Sequence, residues 1–216
     1  MIQLSHIYKT YPGPVHALRN VDLSVQKGEF VFLTGPSGAG KTTLFKMISA
    51  FDKPTSGSII VGDYDLAKIS ASEVPEYRRR IGVIFQDFKL LKDRTIYENI
   101  ALPLIIRNEK QHHIEQKVQT VLKQVGLQDK WDEYPEHLSG GEQQRTAIAR
   151  AIVHQPGVLI ADEPTGNLDP LLSEEIMDLL ERVCAQGTTV IVATHDHEMV
   201  KRRSHRNIYL DSGMLK

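Results

Sequence analysis

At 216 residues, with 41% hydrophobic and 25% charged, the chain suits one soluble globular domain or one domain with an inserted lobe. Its formal net charge of -1 excludes an overall pull toward nucleic acid or anionic lipid. A single cysteine, Cys184, excludes a disulfide framework, and no apolar run approaches the roughly 20 residues needed to cross a bilayer.

The first 35 residues read as short strands joined by turns, with a turn at Tyr11-Pro-Gly-Pro14. Phe30–Thr34 is a buried-strand run that stops at Gly35. A helix then runs from the end of a glycine-rich loop to about Phe51, followed by a turn at Pro54–Gly57. Strands are predicted at Ser58–Val61 and Ile81–Phe85. One local cationic run, Arg78-Arg79-Arg80, reads most simply as a solvated helix end. From Asp87 to about Ala151 the pattern is mostly helical. There Ile114, Val118, Val121, Leu122 and Val125 repeat at helical spacing, and Gly126 supplies the stop. Strands return at Val158–Ala161 and Thr189–Ala193. Between them lies a helix with Asp169 at its cap, Pro170 in its first turn and Gly187 at its end. Strands alternating with helices predict an α/β fold around a mostly parallel sheet. The expected organisation is one nucleotide-binding domain, with a core of residues 1–86 and 152–216 and an inserted helical lobe at 87–151.

Gly35-Pro36-Ser37-Gly38-Ala39-Gly40-Lys41-Thr42 fits the phosphate-loop pattern, with Thr43 next in the following helix. The glycines let backbone N–H groups turn toward phosphate oxygens, and the helix aims its positive end at the same place. Lys41 is expected on the β- and γ-phosphates of ATP, and Thr42 on Mg²⁺. Val158–Glu163 is a buried strand that ends in two acids. Asp162 suits a direct or water-mediated contact to Mg²⁺, and Glu163 suits a general base for the attacking water. A second anion site is expected at Leu138-Ser139-Gly140-Gly141-Glu142-Gln-Gln-Arg145, from the Ser139 hydroxyl, the Gly141 N–H and the helix dipole. One ATP needs only one such helix end. The economical arrangement is a homodimer in which each chain's second site closes over its partner's nucleotide.

Together these segments, in this order, resemble the nucleotide-binding subunit of an ATP-binding cassette (ABC) ATPase across nearly the whole chain. The resemblance implies a P-loop ABC fold with an N-terminal antiparallel β subdomain. It places Gln86 beside Mg²⁺ and the attacking water, and makes His195 the switch histidine that contacts the γ-phosphate. Asp169, in Gly166-Asn-Leu-Asp169, becomes the loop acid that crosses the dimer interface, and Tyr11 the aromatic that stacks on adenine, with Tyr8 as its competitor. Glu142 stands where many members carry glutamine.

Ala161-Asp-Glu-Pro-Thr-Gly-Asn-Leu-Asp169 resembles the branch that holds lipoprotein-release, macrolide-export and cell-division ATPases. Segments between Glu73 and Leu104 lean toward the cell-division members. That implies a cytoplasmic ATPase held at the inner face of the membrane by an integral partner resembling FtsX, with peptidoglycan hydrolysis as its output. A DNA-repair ABC ATPase would need a long coiled coil between the two phosphate motifs, and no sustained heptads occur there. A translation-factor ATPase would normally carry two cassettes. A GTPase would need a lysine that Gly166–Asp169 lacks. A non-hydrolysing sensor is disfavoured because Lys41, Asp162, Glu163 and His195 are all present.

Overall fold

The computed structural model describes every residue except Pro14 and Asn167. The last residue of the predicted Tyr11–Pro14 turn and the second residue of the Gly166–Asp169 loop thus lie outside the described residues. Two sheets carry the architecture. The smaller is antiparallel, in the order β2-β1-β4-β5, with β1 at Ile2–Tyr11, β2 at Val15–Val25, β4 at Ser56–Val61 and β5 at Tyr64–Asp65. The larger is ordered β10-β9-β3-β8-β7-β6. It comprises β3 (Phe30–Thr34), β6 (Ile81–Ile84), β7 (Val158–Asp162), β8 (Thr189–Ala193), β9 (Arg206–Asp211) and β10 (Met214–Leu215). All its pairings are parallel except that of β10 with β9.

The central parallel strands β3, β7 and β8 are apolar on both faces, as a sheet covered on both sides requires. Phe30 and Phe32 of β3, Leu159 and Ala161 of β7, and Val190 and Val192 of β8 point into one core. That core is completed by the helices α3 (Ile96–Ile106), α4 (Gln111–Gln124), α5 (Gly140–Ile152) and α6 (Pro170–Ala185). The alternate residues Val31, Leu33, Val158, Ile160, Ile191 and Ala193 face a second core. There they meet the antiparallel sheet and α1 (Lys41–Ile48). Each fully buried side chain of this size contributes about 1.5–3 kcal/mol. The two short helices are α2 (Val74–Arg78) and α7 (His197–Arg202), and 3₁₀ turns occur at Gln128–Lys130 and Pro135–His137.

The helical spacing from Ile114 to Val125 forms α4, with Ile114, Val118, Val121 and Leu122 buried. Asp169 caps α6, and Pro170 is its first residue. Three expectations change. The N-terminal region is a hairpin of two long strands, because shifts of register between Leu4 and Thr10 break the alternation and make one strand look like several. The strand at Ile81 ends at Ile84, one residue early. The sequence reading carried no strand beyond Ala193, yet β9 lies beside β3 and extends the sheet. The hairpin of β9 and β10 is laced to the front of the molecule. Gly213 donates its N–H to the Ala39 carbonyl (3.0 Å) and accepts from the Arg19 N–H (2.8 Å).

Candidate functional site

Four neighbouring parallel strands, β3, β8, β7 and β6, end at the same edge of the sheet. The open end of such strands is where α/β proteins bind ligands. Gly35–Gly40 leaves β3, Thr194 and His195 leave β8, Asp162 and Glu163 close β7, and Gln86 follows β6. Register sets their levels, since Ile84 pairs with Ala161 and Asp162 with Ala193.

The loop from Gly35 is shaped by contact as well as by conformation. Gly35 has φ +143°, and a Cβ there would fall 1.9 Å from the Leu210 carbonyl oxygen. Ala39 is buried, while Pro36, Ser37 and Gly38 are exposed. Gly40 caps α1 in the left-handed region, and among the described residues no side-chain cap bond closes the helix N-terminus and its first turn carries no acid. The positive end of α1 is therefore free to bind an anion. The Lys41 ammonium folds back over the loop and donates to the carbonyls of Gly35 (2.7 Å) and Pro36 (3.1 Å).

Thr42 Oγ1 donates to Asp162 Oδ2 at 3.1 Å, which brings together two hard oxygen donors that suit Mg²⁺. Burial pushes the Asp162 carboxyl up; the Thr42 bond and the Lys41 charge offset this only in part. Glu163 has φ +49°, a left-handed conformation that costs a non-glycine residue about 1–2 kcal/mol. Its N–H donates to the Ala193 carbonyl (3.0 Å), extending the ladder by one residue. The turn aims Glu163 Oε2 at His195 Nδ1, 2.8 Å away. The Glu163 side chain is mostly buried and that of His195 mostly exposed. Such strain at a bonded acid is a pattern of functional sites. Gln86 is exposed, in the turn after β6.

Tyr11 belongs to a network that the sequence did not reveal. Its hydroxyl donates to Asp52 Oδ2 (2.9 Å), and Lys9 Nζ donates to Asp52 Oδ1 (2.6 Å). The Lys9 ammonium lies 4.9 Å from the centre of the Tyr11 ring. Burial alone would raise the Asp52 carboxyl, but the bonds from Lys9 and Tyr11 outweigh it and hold it below the usual range. Burial, then the Asp52 acceptor, raises the Tyr11 phenol, and the nearby Thr43 hydroxyl acts the other way. Tyr11 thus stands beside the first turn of α1, whereas Tyr8 is 42% exposed on β1. Lys9 and Asp52 lie too far apart in sequence for any spacing to announce them.

The residues of the predicted second anion site form a separate group. Ser139 caps α5, its Oγ accepting from the Glu142 N–H (3.3 Å). Glu142 Oε2 accepts from both the N–H and the hydroxyl of Ser139, each at 2.8 Å. This capping box holds the Glu142 carboxyl below its ordinary pKa. Gly140 is open, while a Cβ at Gly141 would meet Leu172 Cδ2 at 2.1 Å. The start of α5 is thereby pressed onto the first turn of α6, where Asp169 Oδ1 accepts from the Leu172 N–H (3.0 Å). Ser139, Gly140, Gly141, Glu142 and Asp169 thus cluster together. Among the described residues, no hydrogen bond joins them to Gly35–Thr43.

Arg78 is not a free cation. It stacks over Phe51 at 4.1 Å and donates to the Ala50 carbonyl at 2.8 Å, while Arg79 and Arg80 pair with Glu76. No helix among the described residues is long and apolar enough to cross a membrane.

Comparison with known proteins agrees with this geometry. A profile described as ABC transporter matches residues 18–166. The cell division ATP-binding protein FtsE of Escherichia coli (strain K12) is 49% identical over 215 residues, covering 100% of this chain and 97% of that protein. FtsE of Bacillus subtilis (strain 168) is 48% identical over 215 residues, covering 100% and 94%. Among solved structures, a dimeric post-hydrolysis state of an ATP-binding cassette bound to ADP and Pi superposes with a TM-score of 0.92. It is 38% identical, with 100% of this chain and 97% of that chain covered. A glycine-rich loop at a helix start, paired acids at a strand end and a separate capped helix start therefore occur here in a chain that belongs to the ABC transporter ATPase family, and it is a nucleotide-binding ATPase of that family.

Proposed function

We propose that this chain is the ATP-hydrolysing subunit of a membrane complex resembling FtsEX. In it, ATP-driven closure of a homodimer moves an integral membrane partner that regulates peptidoglycan hydrolysis in cell division. The observation that carries the reading is the match of the entire chain, at 48–49% identity, to cell division ATP-binding proteins of several bacteria. Residues 1–86 and 152–216 serve as the ATPase core, and 87–151 as the inserted lobe that meets a partner resembling FtsX. The chain then lies at the inner face of the cell membrane, held there by that partner.

Each residue has one role in this reading. Tyr11 stacks on adenine, held upright by Asp52. The backbone of Gly35–Gly40, the N-terminus of α1 and Thr43 cradle the phosphates. Lys41 exchanges its two carbonyl acceptors for β- and γ-phosphate oxygens. Thr42, Asp162 and Gln86 would hold Mg²⁺, which would neutralise phosphate charge when bound. Glu163 accepts the proton of the attacking water, and His195 orients it and reaches the γ-phosphate.

The cluster of Ser139, Gly140, Gly141, Glu142 and Asp169 lies apart from the chain's own loop, and it serves a nucleotide bound by a second copy. Ser139 must then turn its hydroxyl proton from Glu142 to the incoming phosphate. Neighbour cassettes described as dimeric, one of them with ADP and Pi, support this arrangement. The decisive experiment is copurification from the native membrane, with phosphate release measured with and without the captured partner. A division-type, FtsX-like partner that raises turnover supports the reading. Capture of a lipoprotein-release or macrolide-export permease overturns it.

A further inference from the structure

One residue that no motif singled out joins the two halves of the site. Arg150 lies near the C-terminal end of α5, the helix that begins at Ser139. Its guanidinium donates to the carbonyls of Phe88 and Lys89, each at 2.7 Å. Those carbonyls belong to the loop that leaves β6 and carries Gln86. Phe88 and Lys89 are consecutive non-glycine residues in the left-handed region, with φ +57° and +50°. Such a pair persists only where something outside the loop holds it. The planar fork of an arginine fits two adjacent carbonyls in a way that a lysine's point charge does not. Both terminal nitrogens of Arg150 donate to this loop, so its fork is committed there.

A second contact fixes the same helix to the same strand. A Cβ at Gly82, in β6, would lie 2.4 Å from the Ala151 carbonyl oxygen, so the last turn of α5 rests directly on the β6 backbone. The His154 ring, just past the helix, faces the Ile81 carbonyl at 3.2 Å. The helix that presents Ser139 is thus bound at its far end both to β6 and to the loop beyond it.

We propose that Arg150 is a positioning residue that locks the Gln86 loop to α5, so that the placement of Gln86 at one nucleotide and of Ser139 at the other is set by a single rigid unit. This rests on the roles proposed above for Gln86 and Ser139. Dimer closure would carry Gln86 inward as Ser139 reaches the partner's nucleotide, which makes hydrolysis conditional on both. Arg150 itself need not touch the nucleotide.

The test compares Arg150→Met, which keeps the stem but no donors, Arg150→Lys, which can reach one carbonyl, and Gln86→Ala. The first readout is amide exchange in the nucleotide-free chain. The N–H groups of Phe88 and Leu91 are bonded, to the Phe85 carbonyl (3.2 Å) and to Asn99 Oδ1 (2.8 Å), so the loop is measurable. Arg150→Met is expected to speed exchange over residues 86–91 by about tenfold or more while β8 stays unchanged. The second readout is steady-state hydrolysis. Here kcat should fall about tenfold or more with KM for ATP within about threefold, because displaced groups cost rate before binding. Arg150→Lys should lie between in both, and it decides the matter if exchange in β8 shows that Arg150→Met does not fold.

Unchanged loop exchange overturns the proposal, and so does faster exchange with wild-type kcat. A slow Gln86→Ala beside a fully active Arg150→Met sinks the lock but spares the assigned role of Gln86. A fully active Gln86→Ala sinks that role and the lock with it.

Discussion

Replacing Glu163 with glutamine removes basicity from the hydrolytic centre while leaving its geometry almost intact. The amide keeps the length of the side chain and an oxygen that can face His195 Nδ1, now 2.8 Å away. The backbone bond from Glu163 to the Ala193 carbonyl, 3.0 Å, does not depend on the side chain. A positioned general base contributes about 10²- to 10⁴-fold, or about 2.7–5.4 kcal/mol of barrier. The cost in stability is far smaller. One ionic hydrogen bond weakens, and its partner His195 is 71% exposed, so the loss is below about 1 kcal/mol. For a domain of this size that moves Tm by no more than about 4 °C. Phosphate release by Glu163→Gln should therefore drop at least about 100-fold with nearly unchanged melting. Binding of a fluorescent ATP analogue should persist, and sedimentation should reveal dimer accumulating with ATP. Turnover within about threefold of wild type would refute Glu163 as the base, and a loss of more than about 10 °C in Tm would show that the residue is mainly structural.

Gly35→Ala should destabilise the chain and abolish nucleotide binding, because the new Cβ meets the Leu210 carbonyl at 1.9 Å; thermal melting with and without ATP reads both effects. Asp52→Asn weakens the acceptor that holds Tyr11, so KM for ATP should rise about fivefold, equivalent to one stacking contact of about 1 kcal/mol, with kcat little changed. His154 is buried, and its pKa is pushed down to about 4, by burial first and the Arg107 charge second. The unfolded chain protonates this imidazole near 6.5 and the folded chain does not. Its contribution is therefore complete above that value and lost as pH falls toward 4, by up to about 3 kcal/mol at ~1.4 kcal/mol per pH unit. Denaturant titrations across that window should show a flatter acid limb for His154→Gln.

Residues whose chemistry is local were legible in the sequence. Gly35–Thr42 declares itself through spacing, Asp162 and Glu163 through their place at the end of an apolar run, and Asp169 through Pro170. The helix α4 is written in the period of Ile114, Val118 and Val121. What was hidden depends on contacts distant in sequence. Asp52 meets Tyr11 only because the turn after α1 folds back on the β1–β2 hairpin. Arg150 sits on a helix face already explained by capping and packing, and its role appears only when Phe88 and Lys89 turn their carbonyls toward it. β9 was missed because its alternation, with Ile208 and Leu210 buried and Asn207 and Tyr209 exposed, is short and opens on an exposed Arg206. The bulges of β1 concealed one long strand for a related reason: they shift the period by which strands are recognised.

The lacing of the C-terminal hairpin to the phosphate loop also bears on how the molecule is made. Gly35 rests against the Leu210 carbonyl, and Ala39 accepts a hydrogen bond from Gly213. The nucleotide loop is thus synthesised before the strands that wall it, which follow far later in the chain. Contacts of such sequence separation form late and slowly. A nascent chain that already carries Gly35–Thr42 therefore holds a pliable loop, and ATP can reward folding only once residues 206–213 have docked. Nucleotide binding then favours, by mass action, chains in which this hairpin has docked against the loop.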